Sequence, residues 1–104
     1  MFSMEWFRLD GQNVLVTGAG SGIGQGIAIG LAQAGANVAC FDLSTSGGLL
    51  RTVGHIQGLG RNAVSLTGDV TSATDLQIAI ATSVTELGSV DVAVNCAGLS
   101  LIHI

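Results

Sequence analysis

Thr17-Gly18-Ala19-Gly20-Ser21-Gly22-Ile23-Gly24 follows the apolar stretch Val14-Leu15-Val16 without a gap. Strand, tight glycine turn and helix start, in that order, leave backbone N–H groups pointing out of a helix N-terminus. That geometry holds a dinucleotide pyrophosphate. Gly18 turns sharply out of the strand without a Cβ penalty. Gly22 removes a side chain where a phosphate approaches, and Gly24 lets the helix pack closely on the strand. A glycine triple alone is a weak signal. It gains weight here from the strand before it, the helical pattern after it, and an acidic residue, Asp42, at the end of the next strand.

Asp42 lies 24 residues beyond Gly18. A carboxylate there accepts hydrogen bonds from both ribose hydroxyls of an adenosine and repels a 2′-phosphate. Arg51 is the one basic residue between Asp42 and His55, and it is expected well into the next helix. NAD is therefore favoured over NADP. Asp69 ends a third strand segment and is followed by Val70. It either bonds the adenine edge while Val70 flanks the ring, or makes a helix-entry turn with Thr71. Asn95-Cys96-Ala97-Gly98 follows a fourth strand. Ala97 and Gly98 are small enough for backbone to lie against the nicotinamide-side ribose. Asn95 either joins that pocket or bonds across to neighbouring strands and fixes the crevice. His55 and His103 have no partners at metal spacing, so no metal is assigned. Cys40 and Cys96 sit on strands separated by one other, about 9 to 10 Å apart at roughly 4.8 Å per strand step. That is beyond disulfide reach, and both read as small core residues.

The elements that position these residues follow from the pattern of apolar residues. Strands are expected over 14–17, 37–41, 63–67 and 90–95, and helices over 22–34, somewhere within 47–59, and over 73–87. Ile23, Ile27, Ala28 and Leu31 form the expected inner face of the first helix. Leu76, Ala79, Ile80 and Val84 form that of the third. Gly35 and Gly88 stand where left-handed caps occur. The order β-α-β-α-β-α-β with short connections points to an α/β fold, a Rossmann-like doubly wound parallel sheet with strand order 3-2-1-4. All 104 residues read as the N-terminal portion of one such domain. Strand four is its expected edge, and the third helix is alone on its face, leaving apolar surface uncovered.

Composition narrows the partners. The chain has 48% hydrophobic residues, a net charge of −4 and no Lys. Arg8, Arg51 and Arg61 do not cluster, which argues against nucleic acid and against anionic membrane surfaces. No stretch is long and apolar enough to span a membrane, and Met1 to Asp10 does not read as a secretory signal. Phe2, Trp6, Phe7 and Leu9 are expected to pack on the domain edge. Cytoplasmic is the default location.

Taken together, the Thr17–Gly24 run, Asp42, the Asp69-Val70 pair and Asn95-Cys96-Ala97-Gly98 resemble the classical short-chain dehydrogenase/reductase family over about residues 8 to 100. The last element is usually Asn-Asn-Ala-Gly in that family, so Cys96 replaces its second Asn. The resemblance implies an NAD(P)(H)-dependent oxidoreductase acting between an alcohol and a ketone, commonly a homo-oligomer. It assigns Gly18, Ser21 and Ile23 to the phosphate region, Asp42 to the adenosine ribose, Asp69 and Val70 to adenine, and Asn95 to the nicotinamide side. The family's catalytic set is an Asn, a Ser, and a Tyr followed four residues later by a Lys. This chain contains neither Tyr nor Lys, so no catalytic residue is assigned. Leu99 to Ile104 departs from the family pattern and reads as foreign sequence. Two functions are expected to compete: the cofactor-binding part of an NAD-dependent oxidoreductase, and a non-catalytic dinucleotide-binding module. A sugar-nucleotide epimerase-like fold fits the stretch from Asp69 to Gly98 less well.

Overall fold

A computed structural model describes residues 9–43, 47–96 and 100–103. Along the chain run β1 (Asn13–Thr17), α1 (Gly22–Gln33), β2 (Asn37–Asp42), α2 (Leu49–Gly58), β3 (Ala63–Thr67), α3 (Ala73–Leu87), β4 (Val92–Asn95) and β5 (Ser100–His103). The strands form one sheet in the order β3-β2-β1-β4-β5. The first four are parallel, in the expected order 3-2-1-4. The expected edge is corrected: β5 pairs antiparallel on β4, with Asn95 opposite Ser100 and Val92 opposite His103. Residues 96–99 are all that join the two strands. So short a link returns the chain antiparallel, because a parallel crossover needs about a dozen residues or more. The packing expected of Phe2, Trp6 and Phe7 falls outside the described residues.

Side chains alternate across the sheet. Val14, Val16, Val38 and Cys40 face α1 and α2 and are buried with Ala28, Ala32, Leu49, Val53 and Ile56. Leu15, Ala39 and Phe41 face α3 and pack with Ala79. β1 is buried along its whole length, as a central parallel strand must be. Val92 and Val94 join the α1/α2 side, whereas Val90 precedes the strand and packs on the α3 side.

Two helix faces match expectation in part: Ala28 and Leu31 of α1 and Leu76 and Ala79 of α3 pack on the core as expected. In α1 the buried residues are Gly24, Ala28 and Ala32, while Ile23 is 64% exposed. Apolar residues surround this helix almost completely, so their spacing does not determine which face turns inward. The small residues win because they let the helix axis approach the sheet. In α3, Ala79 and Ser83 are buried and Leu76 and Leu87 pack beside them, whereas Ile80 and Val84 are 38% and 43% exposed. The Ser83 hydroxyl donates to the Ala79 carbonyl at 2.7 Å, which permits its burial. Among the described residues no second helix covers this face, so Ile78, Ile80 and Val84 present apolar surface, as the pattern implied. Both expected left-handed caps occur, with φ of +111° at Gly35 and +96° at Gly88.

Gly26 and Gly30 carry no packing role. Both are exposed, and a Cβ at either meets nothing within 4 Å. Replacing both with Ala is expected to stabilise the chain by about 1–2 kcal/mol, since each helical Gly costs roughly 0.5–1 kcal/mol against Ala. Urea unfolding of the Gly26→Ala/Gly30→Ala variant checks this. An unchanged or lower midpoint would contradict the reading.

At the amino end of the strands, an amide chain ties the layers together. Buried Asn13 donates through Nδ2 to the Leu87 carbonyl and the Ser89 hydroxyl, and its amide oxygen accepts from Asn37. Its backbone N–H donates to Asp91, and the Asn37 amide oxygen accepts the Asn62 N–H. These bonds anchor β1, β2 and the entries to β3 and β4 at the end of the sheet away from the glycine loop.

Candidate dinucleotide crevice

The carboxyl ends of β1, β2, β3 and β4 bring Gly18, Asp42, Asp69 and Asn95 to one end of the sheet, where ligands bind in open α/β folds. The loop from Gly18 to Ser21 joins β1 to α1. Gly18 has φ +71° and Gly22 φ +54°. A Cβ at Gly22 would meet nothing within 4 Å, so the helix entrance is open. A Cβ at Gly24 would strike the Gly18 carbonyl. The close approach that Gly24 permits is thus to the loop at the end of the strand. Ser21 is the N-cap residue, but its side chain makes no capping bond, and no acid lies in the first turn. The first N–H groups of α1 have no intrahelical partner. This end of the helix suits an anion. Ser21 and Gly22 are exposed beside it, as is Ile23.

Asp42 reaches back to the loop. Its Oδ2 accepts the Gly20 N–H at 2.8 Å, and its Oδ1 accepts the Leu43 N–H at 2.8 Å. It borders two cavities. One, of about 180 Å³, lies between Gly18, Phe41, Gly68, Asp69 and Val70. The other, of about 430 Å³, lies between Gly20, Ser21, Gly48 and Arg51. The second corrects an expectation. Arg51 is the third residue of α2, not a distant one, and its wall is shared with Asp42. The sequence left the start of α2 open within 47–59, so spacing alone did not show that Arg51 falls in its first turn.

Asp69 makes the helix-entry turn. Its Oδ1 accepts both the Thr71 N–H at 2.8 Å and the Thr71 hydroxyl at 2.7 Å. These two bonds hold its carboxyl below the usual carboxylate range. Asp75 accepts the Asp69 N–H, and Ser72 caps α3 by accepting the Asp75 N–H at 3.2 Å. Asp69 also borders the smaller cavity beside Val70, so the turn and a place in the crevice coexist.

Asn95 bonds across the sheet. Its amide oxygen accepts the hydroxyl of buried Thr17 at 2.9 Å. The alternative of a cross-strand tie is therefore met in geometry. Thr17 and Asn95 also border a third cavity, of about 250 Å³, with Val70, Leu76 and Ile80 under α3. Ala97 and Gly98 lie outside the described residues. Among the described residues, no group of His, Cys, Asp and Glu is placed to hold a metal ion. No helix among them is long and apolar enough to cross a membrane.

Both cysteines are free thiols. Burial pushes the Cys40 thiol up to about 12 and raises that of Cys96. Cys40 is expected to resist thiol reagents at pH 8 until the chain unfolds, with Cys96 reacting first. Its ordinary value is 9.0, so the unfolded chain ionises above pH 9 while the folded chain keeps its proton. The stability contributed by the neutral thiol is complete below pH 9 and is lost as pH rises toward about 12. Thiol labelling across a urea series checks this. Prompt modification of Cys40 in the folded protein would contradict it.

An open α/β sheet of order 3-2-1-4 with a glycine loop at its carboxyl end defines a Rossmann-like fold. The family model for the short chain dehydrogenases matches residues 12–103, and the chain belongs to that family. It is 42% identical over 95 residues to L-rhamnose 1-dehydrogenase (NAD(P)(+)) of Sphingomonas sp. (strain SKA58), covering 91% of this chain and 37% of that protein. It is 41% identical over 98 residues to 7alpha-hydroxysteroid dehydrogenase of Escherichia coli (strain K12), covering 94% of this chain and 38% of that protein. Among solved structures, a 7 alpha-hydroxysteroid dehydrogenase complexed with NADH and 7-oxo glycochenodeoxycholic acid matches with TM-score 0.83 and 40% identity. That match covers 91% of this chain and 37% of the other. The chain thus spans well under half the length of these relatives.

Thr52 escaped sequence reasoning. It is fully buried in α2 and bonds the Ala19 carbonyl at 2.8 Å. A lone Thr in a helix gives no sequence signal, because its partner is 33 residues away.

Proposed function

We propose that this chain is the dinucleotide-binding part of an NAD-dependent oxidoreductase that interconverts an alcohol and a ketone. The observation that carries the reading is the open N-terminus of α1, with no capping side chain, beside the Asp42 carboxylate at the end of β2. In this reading Gly18, Ser21, Gly22, Ile23 and Gly24 receive the pyrophosphate. Asp42 takes the adenosine ribose, and Asp69 and Val70 border the adenine. Asn95, Ala97 and Gly98 serve the nicotinamide side. The bound cofactor supplies or accepts the hydride. The chain's own residues bind and orient it.

NAD is the preferred cofactor, because Asp42 stands where a 2′-phosphate would be repelled. Arg51 opposes that preference from the same cavity, so it moderates the discrimination. The name of the L-rhamnose relative carries both cofactors, and the solved hydroxysteroid relative holds NADH; both agree with a dinucleotide here. A small-molecule alcohol or ketone is the substrate class, the location is cytoplasmic, and the complete protein is a homo-oligomer. The exposed Ile78, Ile80 and Val84 of α3 accord with further packing.

A non-catalytic dinucleotide-binding module is the second reading. It is favoured by a cofactor crevice in a chain without Tyr or Lys. Genomic DNA flanking the coding sequence separates the two. A frame continuing to a Tyr-x-x-x-Lys favours the enzyme, and a stop codon directly after Ile104 favours the module. Calorimetric titration with NAD and NADP tests the shared part. NAD is expected to bind more tightly, and tighter NADP binding would overturn the assignment.

A further inference from the structure

We propose that Thr52 is a positioning residue for dinucleotide binding, setting the path of the phosphate loop from inside α2. This rests on the dinucleotide reading of the crevice. The Thr52 hydroxyl lies 2.8 Å from the Ala19 carbonyl and 3.0 Å from the Gly48 carbonyl, and it accepts from the Gln25 side-chain amide at 3.0 Å. A hydroxyl has a single proton to donate. The Gly48 carbonyl already receives the Thr52 backbone N–H at 3.0 Å. The Ala19 oxygen is the nearer acceptor and takes the proton.

Ala19 itself is fully buried in the loop. Its N–H donates to the Phe41 carbonyl at 3.2 Å, so both of its backbone polar groups are held by the layer of β2 and α2. The first turn of α2 also lies directly on the loop: a Cβ at Gly48 would strike the Gly20 carbonyl. Thr52 and Gly48 therefore form the floor on which the turn rests. The turn in turn sets the direction of the N–H groups at the start of α1. Removing the hydroxyl leaves the buried Ala19 carbonyl without its donor, and the loop must shift to rehydrate it. Such a shift misaligns the pyrophosphate donors more than the Asp42–Asp69 side of the crevice, which stands on the ends of β2 and β3 and touches the loop through the Gly20 N–H. The Gln25 side chain gains a fixed acceptor from the same hydroxyl, which joins α1 to the brace.

The test compares Thr52→Val and Thr52→Ser with the unaltered chain, titrated with NAD and separately with adenosine, which lacks the pyrophosphate. Urea unfolding confirms that each variant is folded. Thr52→Val is expected to weaken NAD binding about tenfold, the scale of one lost buried hydrogen bond, with a clearly smaller loss for adenosine. Thr52→Ser keeps the donor and is expected to restore NAD binding. A folded Thr52→Val chain that binds NAD as the unaltered chain does would overturn the proposal. So would an equal loss for adenosine, or failure of Ser to restore binding. Should the Val variant not fold, Thr52→Cys keeps the volume with a weak donor and carries the same expectation. If that also fails to fold, Thr52 serves stability alone and the proposal falls. Absence of NAD and NADP binding by the unaltered chain would refute the dinucleotide reading itself, and this proposal with it.

Discussion

Given NAD with secondary alcohols, or NADH with ketones, the 104-residue chain is expected to show no saturable turnover. Hydride transfer at a carbonyl carbon requires a group that gives or takes the proton at its oxygen, a contribution of about 10²- to 10⁴-fold. Relatives of this family use a Tyr assisted by a Lys, and this chain has neither. Neither histidine nor Cys96 replaces that pair. His103 pairs with Val92 at the amino end of β4, the far end of the sheet from the crevice. His55 lies in the later half of α2. Cys96 is near the crevice, but burial raises its pKa and keeps it a neutral thiol. Spectrophotometric assay of NADH with the purified chain and a panel of substrates decides the matter. Saturable activity that follows the chain through purification would defeat the expectation.

The second large effect is expected at Asp42. In the structure its carboxylate holds the Gly20 N–H at 2.8 Å, and in the function proposed above it also carries the charge at the ribose end. Asp42→Ala removes both. It is expected to weaken NAD binding by about 1.5–3 kcal/mol, the scale of hydrogen bonds to a charged acceptor, and to narrow the preference over NADP. Asp42→Asn keeps an acceptor for the Gly20 N–H and loses only the charge. It is expected to retain more NAD affinity than Ala while narrowing the preference as much or more. Calorimetry with both cofactors on the two variants measures this. Equal NAD losses for Ala and Asn would show that the loop bond contributes nothing to binding. An unchanged NAD-to-NADP ratio in both would show that Asp42 does not select the cofactor.

Most of the fold was legible because local signals agreed with one another. The Gly18–Gly24 spacing, the apolar strands and the glycine stops at Gly35 and Gly88 each specify their own element. The parallel order 3-2-1-4 then follows from connection length and crossover handedness. The type of each crevice residue was also legible, since strand ends in such a sheet converge. Helix faces were less so. α1 is apolar on nearly every side, and α3 has more apolar residues than its single packing surface can cover, so periodicity alone could not orient them.

By itself, then, the sequence determined the glycine loop, the acid after β2, the strand order and the lack of a Tyr–Lys pair. These depend on residue type and short-range spacing. Only the tertiary structure decided that β5 turns back antiparallel on β4, that Arg51 shares a cavity with Asp42, and that Thr52 reaches the Ala19 carbonyl. It also decided that Asn13 ties β1 to β2, to the end of α3 and to the entry of β4 at the opposite end of the sheet. The physical reason is common to these cases. Each joins groups distant in sequence or a turn whose direction is set by pairing. A hydrogen bond or a shared cavity wall between such groups leaves no periodic trace in the chain.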